Sequence, residues 1–227
     1  MTRIRGVIFD LDDTLFDCTG LLTEPARERA AAILHEHHPN TPITDLVDEQ
    51  SDLSNRVGST QAIRDIGLKH QLSPDVIESA TNAYNQDDVG PIEPFPEAPR
   101  TIEALLARNV RVSLVTTGRK NRQIAKVQAL GLSGFFDLGT NLFIHDPSTP
   151  PDKTPVLITA QESMNLEAPE ILSVGDKLDA DVAVGNRLGF ITARFRHGRQ
   201  KDLDPGTADE HPNHDLQNLS QILDLAT

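Results

Sequence analysis

The sequence predicts an α/β fold: a Rossmann-like, doubly wound, mostly parallel sheet with an α-helical domain inserted after the first strand. Three observations support this fold class. Short apolar runs, each bounded by turn-forming residues, recur along the chain and are typical of buried parallel strands. Segments with helical spacing of apolar residues lie between these runs, as in sheets built from alternating strands and helices. Residues 18–96 break the alternation and contain helical patterns alone.

Five apolar runs predict the strands of the sheet. They cover residues 6–9, 110–115, 141–144, 171–174 and 189–193. Helices of the core are predicted between them from apolar residues three and four positions apart, and Gly131 is placed to cap the second helix. These helices cover residues 99–108, 121–130, 156–164 and 178–188, and a last one covers 215–225.

The insert is predicted to hold four helices. They cover residues 24–37, 43–56, 61–70 and 74–84. Ser73 precedes the last of them, where its hydroxyl can accept a hydrogen bond from a backbone amide as an N-cap. The Pro-rich segment 91–96 indicates the return of the chain to the core. We therefore predict an α/β core over residues 1–17 and 97–227 and a helical cap over residues 18–96.

Length, charge and cysteine content limit the possible classes of function. A chain of 227 residues fits one core with a smaller inserted module. The formal net charge of −13 repels nucleic acid and anionic lipid, so neither is an expected partner. Cys18 is the only cysteine, which excludes an intrachain disulfide, and no apolar stretch reaches membrane-spanning length. Because the N-terminus has no signal-peptide pattern, we expect a cytoplasmic protein. We expect it to be a monomer or a homodimer.

The first apolar run leads into the sequence FDLDDTLFD, which places two carboxylates two residues apart. Polar residues at the carboxyl ends of parallel strands line the ligand crevice of open α/β sheets. A carboxylate at such a strand end, Asp10, can act as a nucleophile and form an aspartyl-phosphate. The second carboxylate, Asp12, can protonate the leaving oxygen and then deprotonate the hydrolytic water. The pair therefore indicates hydrolysis of a phosphate ester.

Two later runs also lead into polar groups. Thr116, Thr117 and Gly118 follow the second run, and a hydroxyl with backbone amides can donate hydrogen bonds to phosphoryl oxygens. Asp176 follows the fourth run, and Asp181 lies five residues further on. Hard carboxylate oxygens suit Mg²⁺, which takes few protein ligands and keeps several waters. The sequence therefore predicts a magnesium site beside a phosphate site.

Phosphoryl transfer also needs a cation against the charge that develops on the transferred group. Lys153, which opens a helix in the segment PDKTP, is the first candidate for this cation. Lys120 and Lys126 are alternatives, and each of the three also fits an ordinary surface lysine.

These motifs together resemble those of the haloacid dehalogenase superfamily, in its phosphatase branch with a helical cap after the first motif. The resemblance covers about residues 4–195, and FDLDDTLF is its most specific part. It implies that Asp10 is the nucleophile and Asp12 the general acid/base, with the backbone carbonyl of Asp12 also binding magnesium. It further implies that Asp176 binds magnesium directly, that Asp181 acts on the ion through a water or through another ligand, and that Thr116 binds the phosphate.

This chain departs from the family's pattern at some positions. Thr117 stands where Asn is frequent in the family, and the segment around Lys153 lacks the frequent Lys-Pro-x-Pro. Lys177 stands where small polar residues are frequent, and it could pair with Asp10 or Asp181.

We therefore predict a Mg²⁺-dependent phosphatase that hydrolyses a small phosphorylated metabolite through an aspartyl-phosphate on Asp10. One alternative is a 2-haloacid dehalogenase on the same scaffold, in which Asp10 attacks carbon. Attack on carbon needs neither magnesium nor an acid for the leaving group, so Asp12, Asp176 and Asp181 favour phosphate. A second alternative is a catalytically idle phosphate-binding module. The sequence does not identify the phosphate ester or the cap residues that select it.

Two further clusters are assigned no catalytic part. The histidines at positions 35, 37 and 38 are interpreted as a solvated helix end rather than a zinc site. The basic residues over 194–201 are predicted to lie in an exposed loop after the last strand.

Overall fold

The computed structural model describes residues 3–149 and 152–226. The chain divides into two compact units, one of which is Gly20–Asp88 while the other combines the chain before and after it. The first unit contains helices, and the second contains a parallel sheet with its own helices. Each unit has its own cluster of buried apolar side chains.

The sheet has six strands in the order β3-β2-β1-β4-β5-β6, and every neighbouring pair runs parallel. The strands are β1 (Gly6–Phe9), β2 (Arg111–Thr117), β3 (Leu142–His145), β4 (Ile171–Gly175), β5 (Ile191–Phe195) and β6 (His214–Leu216). The chain begins in the middle of the sheet, builds it outwards to β3 and then returns to β4 on the other side of β1. The predicted doubly wound α/β fold is therefore confirmed.

The register of the central strands brings their carboxyl ends to one level. Phe9 lies opposite Leu114 on β2 and Val174 on β4. The amide of Asp10 continues this pairing by donating to the carbonyl of Val174 at 2.8 Å. All four residues of β1 are buried, as expected for a central parallel strand covered on both faces.

Five α-helices lie in the described residues of this unit. They are α5 (Glu97–Ala107), α6 (Lys120–Ala129), α7 (Thr154–Met164), α8 (Ala183–Arg187) and α9 (Ile222–Leu225). The predicted helix 178–188 is divided into a π-helical turn, Leu178–Val182, followed by α8. Side chains from the sheet and the helices form one apolar cluster. Its buried members are Ile8, Val115, Leu157, Ala160, Met164, Leu166, Ile171, Val184 and Phe190.

All five predicted strands are present, but the sequence missed the sixth, and the predicted helix over 215–225 is wrong. His214–Leu216 pairs with β5 as an edge strand, and helical structure begins only afterwards, with a 3₁₀ turn and α9. The segment has no apolar run, because Leu216 is the one apolar residue of the three, and it is also the one that is buried. Asn218 then begins the new turn by accepting a hydrogen bond from the amide of Ser220.

The other unit is an assembly of four helices with its own core. They are α1 (Glu24–His37), α2 (Ile43–Val57), α3 (Ser59–Lys69) and α4 (Pro74–Tyr84). These bounds agree with the prediction to within two residues, and the hydroxyl of Ser73 caps α4 by accepting from the amide of Val76. The buried members of its core are Ala30, Ala31, Leu34, Leu46, Ile63, Ile66 and Ala80. Among the helices described in either unit, none has the length and apolarity needed to cross a membrane.

One part of the basic segment 194–201 is placed differently from the prediction. Arg194 belongs to β5 and is fully buried rather than exposed in a loop. Its guanidinium donates to the backbone carbonyls of Gln200 and Leu203, so it holds the following loop against the strand. The sequence pattern missed this because an arginine is rarely buried without a charged partner. Here backbone carbonyls accept from two of its nitrogens, while Nε has no hydrogen-bond partner among the described residues.

Candidate active site

Three acidic side chains meet where the order of strands in the sheet reverses, between β1 and β4. Asp10 follows β1, Asp176 follows β4, and Asp181 lies in the π-helical turn after β4. One carboxylate oxygen from each lies within 4.8 Å of those of the other two. This position, outside the carboxyl ends of β1 and β4, is where open α/β sheets form their ligand crevice. The structure therefore brings together carboxylates from distant parts of the sequence, since Asp10 and Asp181 are 171 positions apart.

These carboxylates are buried and incompletely compensated. Asp10, Asp176 and Asp181 are respectively 5%, 1% and 5% exposed. Within the described part of the chain, Oδ2 of Asp10 and Oδ1 of Asp176 have no hydrogen-bond partner. A buried ionised carboxylate is costly unless a cation or hydrogen-bond donors surround it. Clustered hard oxygens with unsatisfied lone pairs fit Mg²⁺, so these residues suit the magnesium that the sequence predicted.

Lys153 is the cation that contacts this cluster directly. Its Nζ lies 2.5 Å from Oδ1 of Asp10 and 2.6 Å from Oδ1 of Asp181. Asp152 fixes the start of α7 next to it by accepting a hydrogen bond from the amide of Thr154 at 2.9 Å. The first proline of the PDKTP segment, Pro151, lies outside the described residues.

The two rival lysines are placed elsewhere. Lys120 is exposed at the first residue of α6, and Lys126 contacts Asp12. Lys153 is therefore the lysine that the structure places beside Asp10. Its assignment as the phosphate-binding lysine stays a prediction that this geometry supports.

The electrostatics of the cluster follow from burial and from these contacts. Burial raises the pKa of Asp10 to about 6, although the Lys153 ammonium opposes the shift. Burial also raises the pKa of Asp176 well above its usual value, against the attraction of Lys177. For Lys153, burial alone would lower the pKa, but the carboxylates of Asp10 and Asp181 raise it above its usual value. Lys153 is therefore held as a cation, while Asp10 and Asp176 lack sufficient positive charge around them.

Gly175 explains how Asp181 reaches the cluster. The Asp181 carboxylate lies where a side chain on residue 175 would begin, so a Cβ there would overlap it. The same carboxylate accepts a hydrogen bond from the amide of Lys177 at 3.0 Å. The side chain of Lys177 faces Asp176, with its Nζ 4.0 Å from Oδ1, rather than Asp10 or Asp181 as the sequence suggested.

The threonine motif at the end of β2 lies beside the first motif. Thr116 is 1% exposed, and its Oγ1 accepts a hydrogen bond from Nε2 of Gln123 at 2.7 Å. The carbonyl of Thr117 accepts from the same amide at 2.8 Å. The amide of Gly118 donates to the carbonyl of His145 and is therefore engaged in the sheet. Substrate binding by Thr116, Thr117 and Gly118 stays a prediction, and the geometry supports it most directly for Thr116.

Asp12 is bound by two residues that the sequence did not assign to it. Its two carboxylate oxygens each lie 2.8 Å from Nζ of Lys126, and Oδ2 lies 3.3 Å from Nε2 of Gln123. Burial alone would raise the pKa of Asp12, but the Lys126 ammonium overcomes it and the net shift is downwards. The available signal was the spacing of three residues on the helix after the threonine motif, which puts both side chains on one face.

The remaining candidates lie outside the cluster. Cys18 is buried, and burial raises the pKa of its thiol, so it is not a reactive nucleophile. The ring nitrogens of His35 and His37 are hydrogen-bonded to the backbone carbonyls of Thr41 and Ile33. Local hydrogen bonding therefore accounts for both rings.

Comparisons with known proteins agree with the fold and the motifs. A model of the haloacid dehalogenase-like hydrolase family matches residues 4–189. The chain is 27% identical to the glyceraldehyde 3-phosphate phosphatase of Methanopyrus kandleri, over 98% of this chain and 97% of that protein. It is 30% identical to the phosphoglycolate phosphatase of Aquifex aeolicus, over 84% of each protein. A solved "predicted phosphoglycolate phosphatase" from Haemophilus somnus has a TM-score of 0.75 at 18% identity and covers 100% of both chains.

These similarities carry different weight. At 18% identity the solved structure supports the fold alone. The family match covers most of the chain, and the two curated relatives extend over at least 84% of it. The chain therefore belongs to the haloacid dehalogenase-like hydrolase family, in its phosphatase branch.

Proposed function

We propose that this protein hydrolyses a small phosphate monoester with the help of Mg²⁺, using Asp10 as the nucleophile. The observation that carries the proposal is the buried cluster in which the Asp10 carboxylate contacts Lys153 and lies beside Asp176 and Asp181. An isolated carboxylate would be repelled by an anionic phosphate. The cluster offers a cation on one side of Asp10 and a ligand set for a second cation on the other.

In the first step, an oxygen of Asp10 attacks phosphorus and forms an aspartyl-phosphate while the bond from phosphorus to the ester oxygen breaks. The departing oxygen takes its proton from Asp12, which must be protonated at this step although Lys126 lowers its pKa, and which regains the proton in the second step. Lys153 and the hydroxyl of Thr116 bind the phosphoryl oxygens as their charge rises. In the second step, Asp12 takes a proton from water, the hydroxide attacks phosphorus, and phosphate leaves while Asp10 is regenerated.

The residues that would hold Mg²⁺ are Asp10 and Asp176 through their carboxylates and Asp12 through its backbone carbonyl. Asp181 would act directly or through water. The ion supplies positive charge that offsets the repulsion between Asp10 and the phosphoryl group. The unpartnered oxygens of Asp10 and Asp176 support this set, because each has a lone pair available for the ion.

The alternative of dehalogenation explains less of the site. Attack of Asp10 on carbon would leave the buried Asp176 and the bound Asp12 without a part in the reaction. The two relatives described above are named for phosphate esters of three and two carbons, glyceraldehyde 3-phosphate and phosphoglycolate. We therefore propose a substrate of that size class, selected by the helical insert acting as a cap.

The test compares wild type with Asp10→Asn and with the control Asp224→Asn, an exposed aspartate of α9. Released phosphate is measured with p-nitrophenyl phosphate, phosphoglycolate and glyceraldehyde 3-phosphate, with Mg²⁺ and with EDTA. Wild type and the control should be active with Mg²⁺ and inactive with EDTA, and they should form an acid-labile phosphoenzyme. Asp10→Asn should neither turn over substrate nor form the phosphoenzyme. Turnover by Asp10→Asn that mass spectrometry shows to be free of deamidation, or full activity in EDTA, refutes the scheme.

A further inference from the structure

Helix α6 presents two buried polar side chains that the hydrolytic scheme does not use. Gln123 and Lys126 lie three residues apart on the same face of the helix and are 1% and 5% exposed. In the part of the chain that the structure describes, both side chains point to Asp12, the proposed acid/base. Neither residue belongs to the sequence motifs that predict the reaction, although Lys126 is one of the three candidates for the phosphate-binding lysine.

Lys126 binds the Asp12 carboxylate symmetrically. Its Nζ lies 2.8 Å from both oxygens, so the ammonium sits between them and fixes the direction in which the carboxylate points. Lys126 Nζ also lies 5.9 Å from the centre of the Phe16 ring, which walls the ammonium on another side. Burying an ion pair in this way adds little net stability compared with apolar packing, so a stabilising role alone does not account for it.

Gln123 connects Asp12 to the phosphate end of the site. Its Nε2 donates to Oγ1 of Thr116 at 2.7 Å and to the carbonyl of Thr117 at 2.8 Å. Oδ2 of Asp12 lies 3.3 Å from the same nitrogen, which is the longest of its three contacts. Gly118 leaves room for it, since a Cβ at residue 118 would lie 3.0 Å from Nε2 and Cδ of Gln123. One amide therefore lies between the proposed phosphate-binding hydroxyl and the proposed acid/base.

We infer that Lys126 and Gln123 are positioning residues that hold the Asp12 carboxylate at the leaving-group oxygen of a phosphate bound against Thr116. The inference rests on the proposed function, since it requires Asp12 to be the acid/base. A proton donor on a loop is effective only when it is within hydrogen-bond reach of the departing oxygen, and a displacement of about 1 Å can cost about 100-fold in rate. The clamp from α6 removes the freedom of Asp12 to turn away.

The test uses the dependence of the reaction on the leaving group. An alkyl phosphate needs a proton on its departing oxygen, whereas p-nitrophenolate leaves as a stable anion and needs none. The variants are Lys126→Met and Gln123→Ala. The matched controls are Lys201→Met and Gln128→Ala, which make the same substitutions at exposed residues. For each, kcat/KM is measured with p-nitrophenyl phosphate and with the alkyl phosphate that wild type hydrolyses fastest among phosphoglycolate, glyceraldehyde 3-phosphate and glycerol phosphate.

We expect Lys126→Met to lower kcat/KM for the alkyl phosphate at least about 10-fold more than for p-nitrophenyl phosphate, because general acid catalysis contributes about 100- to 10,000-fold. Gln123→Ala should show the same selectivity to a smaller extent, and the controls should match wild type. In an Asp12→Asn background, Lys126→Met should cause no further selective loss. If Lys126 and Gln123 had a merely structural role, the variants would lower kcat/KM for both substrates to the same extent.

The outcomes separate this inference from the proposed function. If Asp12→Asn selectively impairs the alkyl phosphate while Lys126→Met and Gln123→Ala impair both substrates equally or favour the alkyl phosphate, the positioning role is refuted and the function stands. If Asp12→Asn shows no selectivity, Asp12 is not the acid, and the positioning role is refuted together with that assignment, whereas hydrolysis through Asp10 is decided separately by Asp10→Asn and EDTA. If Lys126→Met fails to fold, Gln123→Ala alone decides whether the positioning role is correct.

Discussion

The raised pKa of Asp10 should make the free energy of unfolding of the metal-free protein depend on pH. Burial raises this pKa to about 6, above the ordinary value of 3.8. Because the folded state holds this proton more tightly than the unfolded state, the contribution of Asp10 to stability is complete below pH 3.8 and is lost as the pH rises through about 6. The loss is of the order of 3 kcal/mol, since each pH unit between the two values corresponds to about 1.4 kcal/mol.

The prediction is that the free energy of unfolding of wild type in EDTA falls between pH 4.5 and pH 7 relative to that of Asp10→Asn, which has no proton to lose there. Urea titrations at several pH values measure both proteins side by side. Parallel pH profiles for the two would show that Asp10 titrates normally in the folded protein.

The individual site residues were predictable to different degrees. Asp10 and Asp176 could be identified because each directly follows an apolar run, and the carboxyl ends of parallel strands face one crevice. Lys153 could be named only as one of three lysines, because a sequence does not show which ammonium reaches which carboxylate. The partnership of Lys126 and Gln123 with Asp12 was not predictable, since it depends on how close α6 packs to the loop after β1.

At the scale of the element, the turn that joins β4 to the π-helical turn depends on Gly175. A methyl group at residue 175 would overlap the Asp181 carboxylate, which would have to move away from Lys153. We expect Gly175→Ala to lower kcat/KM about 100-fold or more, as displacements of about 1 Å in an active site do. The matched control is Gly134→Ala, because a Cβ there meets no atom within 4 Å and its backbone is not left-handed.

Steady-state kinetics with p-nitrophenyl phosphate and Mg²⁺ would measure the effect of Gly175→Ala, and circular dichroism would establish that both glycine variants are folded. Wild-type activity in a folded Gly175→Ala protein would mean that the position of Asp181 beside Lys153 is not needed for turnover.

The elements themselves were predicted best where burial dominates. The helices of the insert and strand β1 follow apolar patterns that match their period, so their bounds came out within two residues. Strand β6 was mistaken for part of a helix because pairing with β5 at the sheet edge, and not an apolar run, makes it a strand. The π-helical turn Leu178–Val182 was read as ordinary helix, since its local composition does not distinguish the two.

For the whole molecule, the site is a consequence of topology. Strand order β3-β2-β1-β4-β5-β6 places β1 between β2, which ends at Thr117, and β4, which is followed by Asp176. This order brings many negative charges together in a chain whose net charge is already −13. Lys153 and Lys177 are the cations beside the cluster in the described residues, and they leave Oδ2 of Asp10 and Oδ1 of Asp176 without a hydrogen-bond partner.

The stability of the whole chain should therefore depend on a divalent cation. A ligand that binds only the folded state at 100 times its dissociation constant stabilises it by about 2.7 kcal/mol, which for a chain of this size corresponds to an increase in Tm of about 5–10 °C. Mg²⁺ should produce such an increase in wild type and in the exposed control Asp224→Asn, and EDTA should reverse it. Asp176→Asn should lose most of the increase while being more stable than wild type without metal, because it removes a buried charge that has no hydrogen-bond partner on Oδ1. Calorimetry of the three proteins with and without Mg²⁺ measures both effects, and an equal Mg²⁺-dependent increase in Asp176→Asn would place the cation elsewhere in the molecule.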